Sequence, residues 1–206
     1  MPFYSLTLHY FQTFFMDTKT IYLAGGCFWG AEHFLKMIDG VEETTVGYAN
    51  SRQASPSYQE VCTGNTDAVE CVEVRYDPER VPLEDLLRLF FKIIDPTSID
   101  RQGEDRGRQY RTGIYYTDPC DEKAVRESLG RLSQDYTAPI AVEAMPLQNF
   151  YTAEEYHQDY LAKNPGGYCH VPQGKFILAR QYKHDSSGHI FAPADRPAEK
   201  PEDLAE

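Results

Sequence analysis

The strongest constraint on the fold is a change of hydrophobic period at Gly25-Gly26. Residues 20–24 read as a short strand that runs directly into the two glycines. From Cys27 onward, Ala31, Phe34, Leu35 and Ile38 recur at helical spacing, and Gly40 stops the pattern. Residues 41–49 then return to strand character, and a Ser-, Pro-, Gly- and Asn-rich stretch at 50–66 reads as a loop. Residues 69–76 alternate, with Val72, Val74 and Tyr76 on one face and Glu73 and Arg75 on the other. Counting back by two from Val72 puts Glu70 on the apolar face, where a carboxyl is an exception that calls for a reason.

The later chain continues this alternation. Asp77-Pro78 reads as a turn, and Pro82 opens an amphipathic helix striped with Leu83, Leu86, Leu87, Phe90, Phe91 and Ile94. Asp95-Pro96 ends that helix, a polar loop covers 97–109, and a strand is predicted at about 111–117. A third helix runs from Asp118-Pro119 to about 134, and a strand covers 140–145. Thr152-Ala153-Glu154-Glu155 has capping-box spacing, which predicts a helix through about Lys163, broken by Asn164-Pro165-Gly166-Gly167. Residues 175–182 read as one more strand. Strand–helix–strand–strand–helix–strand is the order of α+β proteins with a ferredoxin-like two-layer sandwich, here with C-terminal additions. The expected organisation is an N-terminal extension at 1–18, one catalytic domain at 19–182, and a Pro-, Glu- and Asp-rich tail at 183–206 read as disordered.

Composition narrows the function classes. A net charge of −12 argues against nucleic acid or an anionic membrane as partner. No stretch is apolar for long enough to span a bilayer, and the aromatic N-terminal residues lack the basic start of a signal peptide. The five cysteines, Cys27, Cys62, Cys71, Cys120 and Cys169, include no CxxC pair, so they suit reduced thiols of a monomeric cytoplasmic enzyme better than a zinc site or a disulfide framework.

Cys27 is the first candidate for chemistry. A helix N-terminus carries roughly half a positive charge, which favours a thiolate over a thiol of ordinary pKa about 8.5. Gly25 and Gly26 keep Cβ atoms away from an approaching substrate, and Phe28 and Trp29, the only tryptophan, offer apolar walls. The competing reading is a buried structural cysteine beside two core aromatics. Glu70 on an apolar face is desolvated, so its protonated form is favoured and it suits a proton donor; the alternative is a carboxylate paired with an arginine. Asp105 and Tyr110 in the segment RQGEDRGRQYR, and Tyr58 in SYQEV, are candidates to hydrogen-bond a polar ligand atom, or are solvated loop residues. Cys169 follows Asn-Pro-Gly-Gly-Tyr, a loop on which a thiol can move to meet another sulfur, or is a free surface cysteine.

Together GGCFWG, YDP, DPT, RQGEDRGRQYR and AEEYHQDYLAKNPGGYC, in this order over about residues 20–171, resemble the peptide-methionine (S)-S-oxide reductases, the A-type methionine sulfoxide reductases. The resemblance implies that Cys27 attacks the sulfoxide sulfur, that Glu70 is the acid, and that Tyr58 and Tyr110 hydrogen-bond the sulfoxide oxygen with Asp105 in support. It further implies that Phe28 and Trp29 cage the substrate methyl. Cys169 would resolve the Cys27 sulfenic acid to a disulfide that thioredoxin recycles, with no metal or organic cofactor. Four departures stand out. Asp67-Ala68-Val69 precedes Glu70 where the family often has Gly-His-Ala, and Ile94 stands where a His often precedes DPT. Asn50-Ser51 replaces a frequent Gly pair, and no cysteine follows Cys169.

Two other classes stay open on the residues alone. A cysteine hydrolase needs an imidazole near Cys27; His33 lies about 240° around the helix from it, so only His157 or His170 could reach it, through the fold. A non-catalytic binder of methionine-containing peptides needs only the aromatic pocket.

Overall fold

The computed structural model describes residues 18–184. Most of the expected N-terminal extension and C-terminal tail therefore lies outside the described residues. In chain order the elements are β1 (Lys19–Gly25), α1 (Phe28–Leu35), β2 (Val41–Ala49), α2 (Tyr58–Cys62), β3 (Val69–Tyr76) and α3 (Leu83–Phe90). A small hairpin, β4 (Arg101–Gln102) and β5 (Asp105–Arg106), precedes a 3₁₀ turn at Arg108–Tyr110. β6 (Thr112–Tyr116), α4 (Asp121–Leu132), β7 (Glu143–Pro146), β8 (Phe150–Thr152), α5 (Tyr160–Lys163) and α6 (Gln173–Gln181) complete the order.

The result is a mixed α/β protein built on a six-stranded sheet of order β7-β6-β1-β3-β2-β8. β1 lies between β3 and β6 and is antiparallel to both, with Leu23 opposite Val72 on one side and Ile114 on the other. β2 adds antiparallel to β3, β8 antiparallel to β2, and β7 parallel to β6. The two-residue period sorts the faces. Ile21, Leu23, Val72, Val74 and Tyr76 join Phe28, Phe34, Leu86, Leu87, Phe90, Val125 and Phe176 in one core beneath the helices. Ala24, Val69, Cys71 and Tyr115 form a smaller cluster on the opposite face. Glu70 is therefore in phase with the main core, as its position in the alternation predicts. Fully burying one leucine or phenylalanine of α3 contributes about 1.5–3 kcal/mol, so the amphipathic stripe is enough to fix this helix on the sheet.

Four sequence expectations need correction. The 50–66 loop contains α2, opened by a capping box in which Ser57 and Glu60 satisfy each other's backbone N–H groups. The 97–109 loop contains the β4–β5 hairpin, which turns through Gly103 at φ 56°. The helix expected from Thr152 does not form there. Thr152 pairs with Gly47 as the last residue of β8, the Gln158 amide bonds both Val46 and Ala153, and Asp159 is left-handed at φ 54°, so only Tyr160–Lys163 is helical. The strand expected at 175–182 is instead α6, because Phe176 and Ala179, three apart, share a buried helical face while Ile177 is exposed.

The glycines before Cys27 are required for different reasons. Gly26 has φ 81°, and a Cβ there would lie 2.6 Å from Cβ of Gln102. At Gly25 a Cβ would lie 2.8 Å from the Phe90 ring and 3.0 Å from Ile94. We expect Gly25→Ala to lower stability by about 1–3 kcal/mol through overpacking, read as a lower urea midpoint with an unchanged slope; an unchanged midpoint would show that the Phe90 ring yields freely.

Candidate active site

Cys27 occupies the capping position of α1, with φ −56° and ψ 121°, and is 6% exposed. The backbone N–H of Trp29 points at its sulfur and favours the thiolate, as the helix-terminus argument predicts. That contribution is outweighed. Burial, then the neighbouring Glu70 carboxyl, then Asp105 and Cys169, raise the Cys27 pKa well above that of an ordinary thiol. Burial therefore opposes the thiolate that the helix terminus favours.

Glu70 is 1% exposed, and its Oε2 accepts a hydrogen bond from the Phe28 backbone N–H at 3.0 Å. Burial pushes its pKa up to about 8, against the opposing pull of that N–H and with a further push from Asp105. At neutral pH the carboxyl is mainly protonated. It is held at the first turn of the helix that Cys27 caps.

The structure brings the expected polar partners to the same place. Tyr58 opens α2 and Tyr110 ends the 3₁₀ turn; both are half-buried. Burial first and the nearby Glu70 second raise both phenols, so each is a neutral O–H donor beside the carboxyl. Asp67 acts as a cross-link. Its carboxylate accepts Arg108 Nε at 2.7 Å and pairs with Arg52 at 2.9 Å, tying the Tyr110-bearing turn to the start of β3. Asp105 on β5 raises the pKa values of Cys27, Glu70 and Tyr110, and its buried Oδ2 has no hydrogen-bond partner among the described residues. Tyr168, exposed on the far segment, is pushed up to about 12 by burial of its hydroxyl and by Asp105.

Phe28 is buried and Trp29 half-buried, and they form a wall with groups that sequence reasoning left without roles. The Trp29 indole N–H donates to His157 Nδ1 at 3.1 Å, and its ring stacks on Tyr160 at 3.7 Å and 13°. The His157 ring also lies 5.1 Å from Phe28 and 4.6 Å from Tyr58. Since Nδ1 accepts, His157 is neutral and carries its proton on Nε2; burial lowers its pKa, in keeping with this. Glu154 accepts the Tyr48 hydroxyl at 2.7 Å and the Tyr58 backbone N–H at 2.9 Å. The AEEYHQDY segment held these residues in plain view, but a helical reading of it hid the turn that delivers them.

Cys169 is half-buried over α1: a methyl group placed on Gly30 would lie 3.1 Å from its sulfur. Gly30 is three residues from Cys27, hence on the same side of the helix. Cys71 is buried on the opposite face of the sheet, while Cys62 and Cys120 are exposed. Among the described residues no His, Cys, Asp and Glu side chains cluster as a metal site, and no helix is long and apolar enough to cross a membrane.

The sequence profile of the family described as peptide methionine sulfoxide reductase matches residues 19–187. The chain belongs to this family. It is 54% identical over 162 residues to the peptide methionine sulfoxide reductase MsrA of Lachnoclostridium phytofermentans, covering 79% of this chain and 98% of that one. The reduced form of Mxr1 from Saccharomyces cerevisiae superimposes with a TM-score of 0.71 at 41% identity, over 74% of this chain and 88% of Mxr1. Mxr1 in complex with Trx2 is also similar, with a TM-score of 0.51 at 30% identity, over 69% and 84%.

For this reductase-family chain the sole tryptophan is a built-in reporter of the wall. We expect His157→Phe to deprive the indole N–H of its acceptor, shifting Trp29 emission to longer wavelength and raising its acrylamide quenching. An unchanged spectrum would mean that the Tyr160 stack alone holds the ring.

Proposed function

We propose that this chain reduces methionine (S)-sulfoxide, in proteins and as the free amino acid, as a repair enzyme after oxidative damage. The observation that carries the reading is the buried Glu70 carboxyl, bonded by the Phe28 backbone N–H to the first turn of the helix that Cys27 caps. A sulfoxide needs a nucleophile for its sulfur and an acid for its oxygen, and these two groups supply them side by side.

The substrate methyl rests against Phe28 and Trp29, and the sulfoxide oxygen faces Glu70, Tyr58 and Tyr110, with Asp105 supporting them. These donors stabilise the charge that builds on oxygen. Glu70 gives its proton to that oxygen while the Cys27 sulfur attacks, and the Cys27 thiol proton returns to Glu70. A buried carboxyl and a buried thiol cannot both be charged here, so a proton exchanged between them avoids a doubly anionic site. The oxygen moves to Cys27, giving sulfenic acid, and two electrons from the cysteine sulfur convert the sulfoxide to a thioether. Cys169 then condenses with the sulfenic acid to a disulfide and water. A dithiol reductant restores both thiols; the Mxr1–Trx2 complex supports thioredoxin in that part.

The finer architecture belongs to the same proposal. The strand order β6-β1-β3-β2, antiparallel throughout and interleaved with α1 and α3, supports a ferredoxin-like βαββαβ core within a single catalytic domain at 19–182. The free thiols suit a reducing compartment such as the cytoplasm.

A thiol count under denaturing conditions, before and after excess methionine (S)-sulfoxide without reductant, tests the function. We expect two thiols lost and one methionine formed per chain, neither in Cys27→Ser, and one thiol lost with one methionine formed in Cys169→Ser. No methionine from the wild type would leave only a binding role. Loss of two thiols in Cys169→Ser would move resolution to Cys62, Cys71 or Cys120.

A further inference from the structure

Beside Cys169 stands a buried imidazole that the reaction above does not use. A methyl group on Gly30 would lie 3.2 Å from His170 Cε1 and 3.1 Å from the Cys169 sulfur, so ring and thiol face one small gap over α1. On the other side of Cys27, a methyl group on Gly26 would lie 3.4 Å from His170 Nε2. The imidazole is thus lodged against the backbone on both sides of Cys27. Both of its ring nitrogens are buried, and the Gly25 backbone is the one group that hydrogen-bonds toward the ring among the described residues. A buried imidazole held by one backbone group, beside two thiols, calls for a reason.

We propose that His170 is the proton carrier of the resolving step: it takes the proton of the Cys169 thiol as that sulfur attacks the Cys27 sulfenic acid, and returns it to the departing oxygen. This assignment rests on the reductase reading. The S–S bond forms as the S–O bond breaks, and the Cys169 sulfur supplies two electrons to the Cys27 sulfur. The hydroxide that leaves takes the proton to become water. The imidazole begins and ends neutral, and no further reactant enters.

The surroundings suit that cycle. Burial lowers the His170 pKa, with Asp105 and the Gly25 backbone opposing it, so the ring is an available base at neutral pH. Burial, and then Asp105, raise the Cys169 thiol against the opposing pull of the Val171 backbone, so it needs a base in order to react. Its S–H, which donates to the Val171 carbonyl at 3.5 Å, turns to the ring for that step. The titratable group that acts on the ring is Asp105 on β5. His170 packs against Gly26 and Gly30, on either side of Cys27 at the start of α1, and against Gly103 of the hairpin.

The test follows methionine release, disulfide formation and sulfenic acid, trapped with a 1,3-diketone, in one sample after mixing the full chain with methionine (S)-sulfoxide. In His170→Asn, and independently in His170→Gln, we expect disulfide formation to slow at least tenfold relative to methionine release, with trappable sulfenic acid accumulating. Methionine release in the same sample reports that the site is folded. The pH profile separates proton transfer from mere positioning. The wild-type resolving rate should be level from about pH 6.5 to 8, whereas in both variants it should climb with pH as Cys169 ionises unaided. A level profile in the variants, or an unchanged ratio of the two steps, overturns the assignment. Absence of methionine from the wild type would overturn the reductase reading and this assignment with it.

Discussion

The site depends on the hydrogen bond from the Phe28 backbone N–H to Glu70. A carboxyl facing the apolar side of a central strand is unfavourable unless it is neutral or hydrogen-bonded, and here both conditions hold. The unpaired N–H at the first turn of α1 supplies the bond, and burial supplies the neutrality. The same contact fixes β3 to the helix that Cys27 caps, so the spacing between acid and nucleophile is a property of the core and not of a loop. It also explains why the Cys27 thiolate is disfavoured before substrate arrives. An apolar enclosure that keeps Glu70 protonated necessarily disfavours the thiolate, and the proton must change hands during the reaction.

Around this fixed pair, the remaining groups arrive on irregular segments, each held by cross-links to the sheet. Glu154 clamps the Tyr48 hydroxyl and the start of α2, which places Tyr58. The Gln102 amide bonds the Asp95 backbone in both directions, at 2.7 and 2.8 Å, which anchors the hairpin that carries Asp105. Glu32 on α1 accepts the Asp159 backbone N–H at 3.0 Å and so holds the turn that stacks Tyr160 on Trp29. Asn50, left-handed at φ 53°, accepts the Gln148 N–H at 2.9 Å and joins the end of β2 to the loop before β8. Asparagine tolerates that conformation better than most residues.

What could be read from the chain follows from where the signals are local. The period switch at Gly25-Gly26, the phase of Glu70 and the α3 stripe each express a strand or helix burying one face, and the structure follows them. The helix predicted from Thr152 failed because its capping-box spacing competes with β8 pairing and with the Gln158 side chain, both set by residues about a hundred positions away. Residues 175–182 misled because a short apolar run satisfies either period until its packing partner is known, here α1. The positive end of α1 correctly suggested a thiolate-favouring influence on Cys27. Its defeat by burial depends on how completely Phe28, Tyr48 and the strands enclose the site, which sequence spacing does not report. His157 and His170 were weighed only as a hydrolase's imidazole for the same reason: neither lies near Cys27 along the chain.

The most direct measurement is an infrared pH titration of the Glu70 carboxyl, as the difference between wild type and Glu70→Gln. A protonated carboxyl band present at pH 7 and lost with a midpoint near 8, together with loss of methionine formation over the same rise in pH, is the predicted result. A band already absent at pH 6 would mean an ionised Glu70, and would contradict its part as the acid that drives the first step.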